Sequence, residues 1–273
     1  MPAPAPPIRL VVTDVDGTLV KHDRTLAAST IAAAARLRAA GVRLAVVSSR
    51  PVGGLEVLRG PLGLDTPRAG FNGGAIVSPE DAILEEHTIP DEACRAAVAH
   101  LERAGVDVWV FARGEWLLKN PSATYIAREK LSISMDFAVV DDFAPHLSGV
   151  HKVMGSSTDF AVMARMEAEL REKIGASAMV ARSQSYYLDI THTQANKGTA
   201  AVSLARLLGI EPAAMACIGD MPNDLPMFDV AGLSIAMGNA TDEVKARAHA
   251  VTEDNDSDGW ARAIERFVLA NVE

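Results

Sequence analysis

The chain has few cysteines and no long apolar run. Of its 273 residues only Cys94 and Cys217 are cysteines, and neither lies in a CxxC or histidine-rich segment. This scarcity excludes a disulfide framework and a zinc site of the usual spacing. No apolar run approaches the roughly 20 residues that cross a bilayer, so we expect no membrane association.

Positive charge is also scarce. The chain has 26 lysines and arginines against 35 aspartates and glutamates, which gives a formal net charge of -9. Duplex nucleic acid binds basic surfaces, so nucleic acid is not an expected partner. Met1 to Pro7 lacks the basic flank and apolar core of a signal peptide. We therefore expect a cytoplasmic protein with a mobile lead-in at Pro2 to Pro7 that has no role.

Strand and helix patterns alternate near both ends of the chain, which is typical of an α/β domain. The predicted elements are a strand over Ile8 to Thr13, a helix over Ile31 to Ala40 that Gly41 ends, a strand over Val42 to Val47, a helix over Thr199 to Leu208 and a strand over Met215 to Ile218. Near-continuous apolar strands are usual in parallel sheets. We predict a doubly wound, mostly parallel, Rossmann-like sheet.

The middle of the chain has a different, α+β pattern. Its predicted elements include a helix from Ala93 to Leu101, a hairpin turning at Arg113-Gly114-Glu115, a strand from Val150 to Met154, a helix from Phe160 to Ile174 and a strand pair joined through Arg182 to Ser185. We predict that residues 82–190 form a domain inserted into a core made of residues 1–81 and 191–273. Near the C-terminus, Trp260, Ile264, Phe267 and Val268 share helical spacing, which predicts a buried helix face.

The most informative motif is Asp14-Val15-Asp16-Gly17-Thr18, directly after the first apolar strand. Alternate side chains of a strand share a face, so Asp14 and Asp16 would converge if the extended form continued. Gly17 then permits a sharp turn. One carboxylate could attack a phosphoryl group while the other transfers protons, although an acidic turn without chemistry has the same composition.

Three further polar segments follow predicted strands or begin a helix. Ser48-Ser49-Arg50 offers a hydroxyl and main-chain N–H groups to phosphoryl oxygens, and Lys197 lies at a helix start, which attracts anions. Gly219 to Asp224 adds Asp220, Asn223 and Asp224. Each segment alone also fits an ordinary turn or solvated surface. Two acidic clusters repel unless a cation lies between them, and oxygen ligands without histidine or cysteine indicate magnesium.

In their order along the chain, these segments resemble the motifs of the haloacid dehalogenase superfamily of phosphotransferases. Asp14 to Leu19 is similar to the first motif, Ser48 to the second, Lys197 to the third, and Gly219-Asp220 with Asn223-Asp224 to the fourth. The resemblance covers most of the chain.

Other segments resemble more specifically the Cof-type, subfamily IIB branch of sugar-phosphate phosphatases. They are Phe71-Asn72-Gly73-Gly74-Ala75, Lys152 in its strand, and Met237-Gly238-Asn239-Ala240. The chain has Ser48-Ser49 where this branch usually has Thr-Gly. The resemblance implies that residues 82–190 form a C2B-type cap domain, which would close over the site and select the substrate.

The implied activity is Mg²⁺-dependent hydrolysis of small phosphate monoesters through an aspartyl-phosphate. We hypothesise that Asp14 is the nucleophile, that Asp16 is the general acid and base, and that Ser48 and Lys197 complete the catalytic set. The residues expected to bind phosphate or substrate are Val15, Ser48, Ser49, Arg50, Asn72, Gly73, Lys197 and Asn223. The expected metal residues are Asp14, the Asp16 carbonyl and Asp220, with Asp224 as a further ligand or a support.

Two other functions use the same residue types. A sugar phosphomutase would return the phosphoryl group from Asp14 to a bound sugar. A receiver-like module would accept phosphate on an aspartate without turnover, although such a module needs no inserted domain. The expected partner is a small phosphate ester, and the sequence predicts no particular oligomeric state.

Overall fold

The computed structural model of the chain describes residues 6–271, so most of the predicted lead-in at Pro2 to Pro7 lies outside the described residues. The strands are β1 (Leu10–Thr13), β2 (Arg43–Val46), β3 (Arg68–Gly70), β4 (Ala75–Val77), β5 (Ile83–Glu86), β6 (Asp107–Ala112), β7 (Glu115–Leu118), β8 (Ala138–Val139), β9 (Val150–Ser156), β10 (Ala178–Gln184), β11 (Tyr187–His192), β12 (Met215–Gly219), β13 (Leu233–Ala236) and β14 (Ala250–Val251). The α-helices are α1 (Ala28–Ala39), α2 (Glu56–Leu62), α3 (Asp91–Arg103), α4 (Ile126–Ile133), α5 (Phe160–Ile174), α6 (Lys197–Leu207), α7 (Leu225–Phe228), α8 (Asp242–Arg247) and α9 (Gly259–Ala263).

These elements divide into two compact units. The second unit comprises residues 50–54 and 86–195, and the first comprises the rest of the described chain. The two ends of residues 86–195 lie a few residues beyond the predicted junctions at 81/82 and 190/191. Residues 50–54 group with the second unit because their backbone packs closely there: a Cβ atom on Gly54 would lie 2.3 Å from the carbonyl oxygen of Ile133.

A five-stranded parallel sheet forms the centre of the first unit, in the order β14-β13-β12-β1-β2. The central strand β1 is buried on both faces, which explains its continuous apolar sequence. Val11 packs in a cluster with Leu37 of α1, whereas Leu10 and Val12 pack on the other face with Leu204 of α6. The predicted doubly wound α/β sheet is confirmed.

A small sheet of strands β3, β4 and β5 was not predicted. Its strands have three or four residues each, which is too short for hydrophobic periodicity to identify them. Among the described residues, no helix has the length and apolarity needed to cross a membrane.

The second unit contains a six-stranded sheet in the order β10-β11-β9-β6-β7-β8. Apolar side chains of α3 and α5 pack with those of one sheet face, including Leu101, Met163 and Val110. The predicted hairpin is confirmed: Arg113 and Gly114 have φ angles of 53° and 81° between β6 and β7, as a two-residue turn with two positive φ angles requires. The α4 helix and the β8 strand were not predicted.

The predicted apolar stripe near the C-terminus is also confirmed. Trp260, Ile264 and Val268 are each at most 1% exposed, and Phe267 is partly buried against the same cluster. They lie in α9 and in the wider π-helical turn Ile264–Val268 that continues it, and they join the cluster that contains α1. The stripe therefore closes one face of the parallel sheet.

We predict that Ile264→Ala lowers the free energy of unfolding by about 2 to 5 kcal/mol, because the truncation leaves a cavity in a packed core. The neighbouring Glu265 is the matched control. Its carboxylate lies 2.6 Å from Arg36 Nε with both side chains about half exposed, so Glu265→Ala should change stability by at most about 1 kcal/mol. Urea denaturation measures both values, and equal losses would contradict the burial of Ile264.

Candidate active site

Two acidic residues follow neighbouring strands of the parallel sheet at the same edge. Asp14 comes directly after β1, and Asp220 comes directly after β12. These strands pair in parallel, with Thr13 opposite Ile218, and the Asp14 N–H donates to the Ile218 carbonyl at 2.9 Å. The carboxyl edge of an open α/β sheet is where such folds bind ligands.

Two glycines allow the acidic loops to pack against each other. Gly17 has a φ angle of +81°, and a Cβ atom there would lie 2.4 Å from Asp220 Oδ2. A Cβ atom on Gly219 would lie 2.4 Å from Asp224 Cγ. Any side chain at either position would displace a carboxylate of the site.

Three carboxylates meet around one ammonium group. Asp14, Asp220 and Asp224 are buried, and each offers a carboxylate oxygen within 4.8 Å of the others. Lys197 Nζ donates to Asp14 Oδ1 at 2.5 Å and to Asp224 Oδ1 at 2.6 Å. The Lys197 side chain is itself only 2% exposed. Its charge therefore compensates for part of the repulsion among the carboxylates.

Burial changes the proton affinities of these groups. It raises the pKa of Asp14 well above its usual value, although the charge of Lys197 opposes the rise. Burial likewise raises the pKa of Asp220 to about 6, against a hydrogen bond from Thr18. Burial alone would lower the pKa of Lys197, but Asp14 and Asp224 reverse the shift and raise it. Lys197 is therefore charged, and further positive charge would stabilise the ionised form of the carboxylates beside it.

The Asp224 carboxylate is occupied on both oxygens. Oδ1 accepts from Lys197, and Oδ2 accepts from the N–H groups of Asp220 at 2.8 Å and Met221 at 2.9 Å. Asp224 is fully buried. It thus holds both the lysine and the loop that presents Asp220.

Lys197 lies in the first turn of α6. Asn196 caps this helix, and its Oδ1 accepts from the Thr199 N–H at 3.0 Å. Gly198 lets the turn pass close to α7, because a Cβ atom there would lie 2.6 Å from the Pro226 carbonyl oxygen. The predicted helix start with Lys197 in it is confirmed.

Two further residues hold Asp220, and their roles were not predicted. Thr18 Oγ1 donates to Asp220 Oδ1 at 2.8 Å. Asn239 Nδ2 donates to the Gly17 carbonyl at 2.8 Å and lies 3.3 Å from Asp220 Oδ2. Both residues lie in segments that resemble family motifs, so the motifs marked the positions without indicating these contacts.

Asp16 is not one of the three clustered carboxylates. The chain turns at Gly17 instead of continuing extended, and Asp16 forms an isolated bridge with Val20. Its side chain is 40% exposed and lies 3.8 Å from Arg24 Nη1. The named strand β1 already ends at Thr13, before both aspartates, so strand alternation does not decide where the Asp16 side chain lies.

Residues expected to bind phosphate lie after β1 and β2 and in two nearby loops. Ser48 is buried, and its carbonyl accepts from the Asn72 N–H at 2.7 Å. Asn72 Oδ1 in turn accepts from Asn223 Nδ2 at 3.3 Å. Gly73, with a φ angle of +98°, packs against Ala200 of α6. The structure thus connects the Ser48, Asn72 and Asn223 loops.

The other three predicted residues differ in setting. Val15 is buried, and its carbonyl accepts from the N–H groups of Leu19 and Val20, each at 3.0 Å. Ser49 is exposed. Arg50 was assigned to the core but belongs to the second unit, where it is buried and its Nη1 donates to the Gly54 carbonyl at 3.4 Å.

Comparisons with known proteins agree on one family. The model of the haloacid dehalogenase-like hydrolases matches residues 11–264. The pyridoxal phosphate phosphatase YbhA of Escherichia coli is 26% identical over 271 residues, which cover 96% of this chain and 99% of that protein. The 5-amino-6-(5-phospho-D-ribitylamino)uracil phosphatase YwtE of Bacillus subtilis is 26% identical over 292 residues, which cover 96% and 98%.

Solved structures show the same relationship. A haloacid dehalogenase-like hydrolase from Bacteroides thetaiotaomicron is 27% identical with a TM-score of 0.89, over 95% of this chain and 99% of that one. A sugar phosphatase of subclass IIB is 25% identical with a TM-score of 0.81, over 95% and 98%. This chain therefore belongs to the haloacid dehalogenase-like hydrolases and is a Cof-type, subfamily IIB phosphatase that hydrolyses phosphate monoesters.

Proposed function

We propose that this phosphatase requires Mg²⁺, acts on small phosphate monoesters such as sugar phosphates, and works through an aspartyl-phosphate on Asp14. The observation that carries the proposal is the buried group of Asp14, Asp220, Asp224 and Lys197 at the carboxyl edge of the sheet. The substrate class is supported by relatives named for pyridoxal phosphate and for sugar phosphate substrates.

The residues at this edge fit a magnesium ion. The clustered donors are all carboxylate oxygens, which suit a hard divalent cation better than a transition metal. Asp14, Asp220 and the main-chain carbonyl of Asp16 would hold the ion. Asp224 would support them, because its oxygens already accept from Lys197 and two N–H groups. A bound ion would supply positive charge that reduces the repulsion between Asp14 and an anionic phosphate.

The proposed reaction has two displacements at phosphorus. An Asp14 oxygen forms a bond to phosphorus as the bond to the substrate's ester oxygen breaks, and Asp16 gives a proton to the leaving alcohol. Asp16 then takes a proton from water as that water attacks phosphorus and releases Asp14. The half-exposed position of Asp16 supports this role, since a proton carrier must reach both substrate and water.

The remaining residues would bind the phosphoryl group. Lys197 is positioned to balance charge on the oxygens around phosphorus, because its Nζ already lies 2.5 Å from Asp14 Oδ1. The Ser48 hydroxyl, the Asn223 amide and the N–H groups of Val15 and Ser49 would donate hydrogen bonds to the same oxygens. Asn72 and Gly73 would shape the neighbouring loop, and Arg50 stays a predicted substrate-binding residue.

We predict that Asp14→Asn lowers kcat by several orders of magnitude, because an amide cannot attack phosphorus. The fold should persist, since Lys197 keeps its contact with Asp224. Steady-state hydrolysis of p-nitrophenyl phosphate and thermal unfolding measure the two effects. Asp229→Asn is the control, because Asp229 is a half-exposed surface partner of Arg247. Near-normal activity of Asp14→Asn would exclude Asp14 as the nucleophile.

We predict that Asp16→Ala separates the two chemical steps. p-Nitrophenol leaves without needing a proton donor, so the first displacement should still occur and the second should become slow. Rapid mixing should show a burst of about one p-nitrophenolate per protein, with a phosphoprotein that hydroxylamine cleaves. A sugar phosphate, whose alcohol needs a proton, should show no burst. Wild-type kinetics with both substrates would contradict the role of Asp16.

We predict that removal of metal with EDTA abolishes turnover and that Mg²⁺ restores it. Ca²⁺ should restore less, because it prefers more ligands and longer distances than Mg²⁺. Full activity without metal would contradict the proposed magnesium site.

Product analysis with a sugar phosphate tests where the phosphoryl group goes. Free sugar and inorganic phosphate are expected. An isomeric sugar phosphate would indicate a phosphomutase, and a stable phosphoprotein would indicate a receiver-like module.

A further inference from the structure

Asn239 joins two acidic loops of the site although it lies on neither. It follows β13, which pairs in parallel with β12 and therefore ends at the same sheet edge. Its Nδ2 donates to the Gly17 carbonyl at 2.8 Å and lies 3.3 Å from Asp220 Oδ2. Gly17 and Asp220 belong to loops separated by about two hundred residues of sequence.

The position of Asn239 is fixed by main-chain contacts. The Met237 N–H donates to the Gly219 carbonyl at 3.0 Å, and the Gly238 N–H donates to the Glu253 carbonyl at 2.9 Å. A side chain on Gly238 would prevent this approach, because a Cβ atom there would lie 2.6 Å from the Asp254 nitrogen. The loop therefore presents Asn239 from a defined place.

The other end of the amide is held as well. Asn239 Oδ1 accepts from the Asn255 N–H at 3.1 Å, and Asn255 Nδ2 donates to the Val20 carbonyl at 2.9 Å. Because Oδ1 accepts a main-chain N–H, the amide group is oriented with its NH₂ toward Gly17 and Asp220. The side chain is thus a bridge with a defined direction.

We propose that Asn239 is a positioning residue that orients Asp220 and the Gly17 loop to bind Mg²⁺. This inference rests on the magnesium site of the proposed function. Thr18 holds Asp220 Oδ1 and Asn239 holds Oδ2, so rotation of the carboxylate is restrained at both oxygens. The Gly17 carbonyl is one peptide unit after that of Asp16, a proposed ligand. Asn239 therefore acts on two of the three groups that would hold the ion.

A role in supporting the core is a weaker explanation. The Asn239 side chain is exposed, so its truncation leaves no cavity among packed apolar residues. Its hydrogen bonds go to two main-chain groups and to Asp220. Residues that hydrogen-bond to metal ligands commonly change metal affinity or activity by about 10- to 100-fold when mutated.

The test compares Asn239→Ala with Asn255→Ala in the full-length protein. Asn255→Ala removes the bond to Val20 but retains its N–H toward Asn239, so it controls for loss of a hydrogen bond in the same network. Both variants should lower Tm without metal by only about 2 to 4 °C. The readouts are the Tm increase caused by MgCl₂ alone and the Mg²⁺ concentration that gives half-maximal turnover.

We expect Asn239→Ala to need about 10-fold more Mg²⁺ for half-maximal turnover and to show a smaller Tm increase with MgCl₂. Saturating Mg²⁺ should restore most of kcat, with KM for p-nitrophenyl phosphate close to the wild-type value. Asn255→Ala should match the wild type in its Mg²⁺ response. If both variants respond to Mg²⁺ like the wild type, the positioning role is wrong. If the wild type itself shows no response to Mg²⁺, the proposed magnesium site fails first.

Discussion

The site depends on the balance of charge around Lys197. Three buried carboxylates share one ammonium group, which contacts two of them directly. When all are ionised the group keeps a surplus of two negative charges in a place with little water. Buried charges of one sign are stable only with compensation. Burial raises the pKa of Asp14 and of Asp220, because negative charge is costly in a place with little water. A divalent cation would supply the positive charge that this group lacks.

The parallel sheet makes this arrangement possible because its strands all end at one edge. The first acidic loop follows β1, and the second follows β12, its neighbour in the sheet. Asn239 reaches the same edge from the end of β13. Segments far apart in sequence thus present short polar side chains to one another. Gly17 and Gly219 have no side chains, so the loops can approach more closely than any other residue would allow.

Family motifs found in the sequence identified most of the residues that meet at this edge. Asp14, Asp220, Asp224 and Lys197 were each predicted as site residues, and the structure brings them together. The place of Asp16 could not be predicted in the same way, because β1 ends at Thr13 and strand alternation applies only while the backbone stays extended. The grouping of residues 50–54 with the second unit was not predicted, because these residues pack close to Ile133, which is distant in sequence.

The sequence by itself determined the kinds of element, the inserted middle and the residue types available for chemistry. These features depend on local periodicity, on glycine and on side-chain identity, which are readable from a single chain. Only the tertiary structure decided which atoms meet: that Lys197 lies between Asp14 and Asp224, that both Asp224 oxygens are occupied, and that Asn239 holds Asp220. Apart from the bonds of the Asp220 and Met221 N–H groups to Asp224, these contacts join residues 19 to 183 positions apart. They therefore exist only once packing has fixed the register of strands and loops.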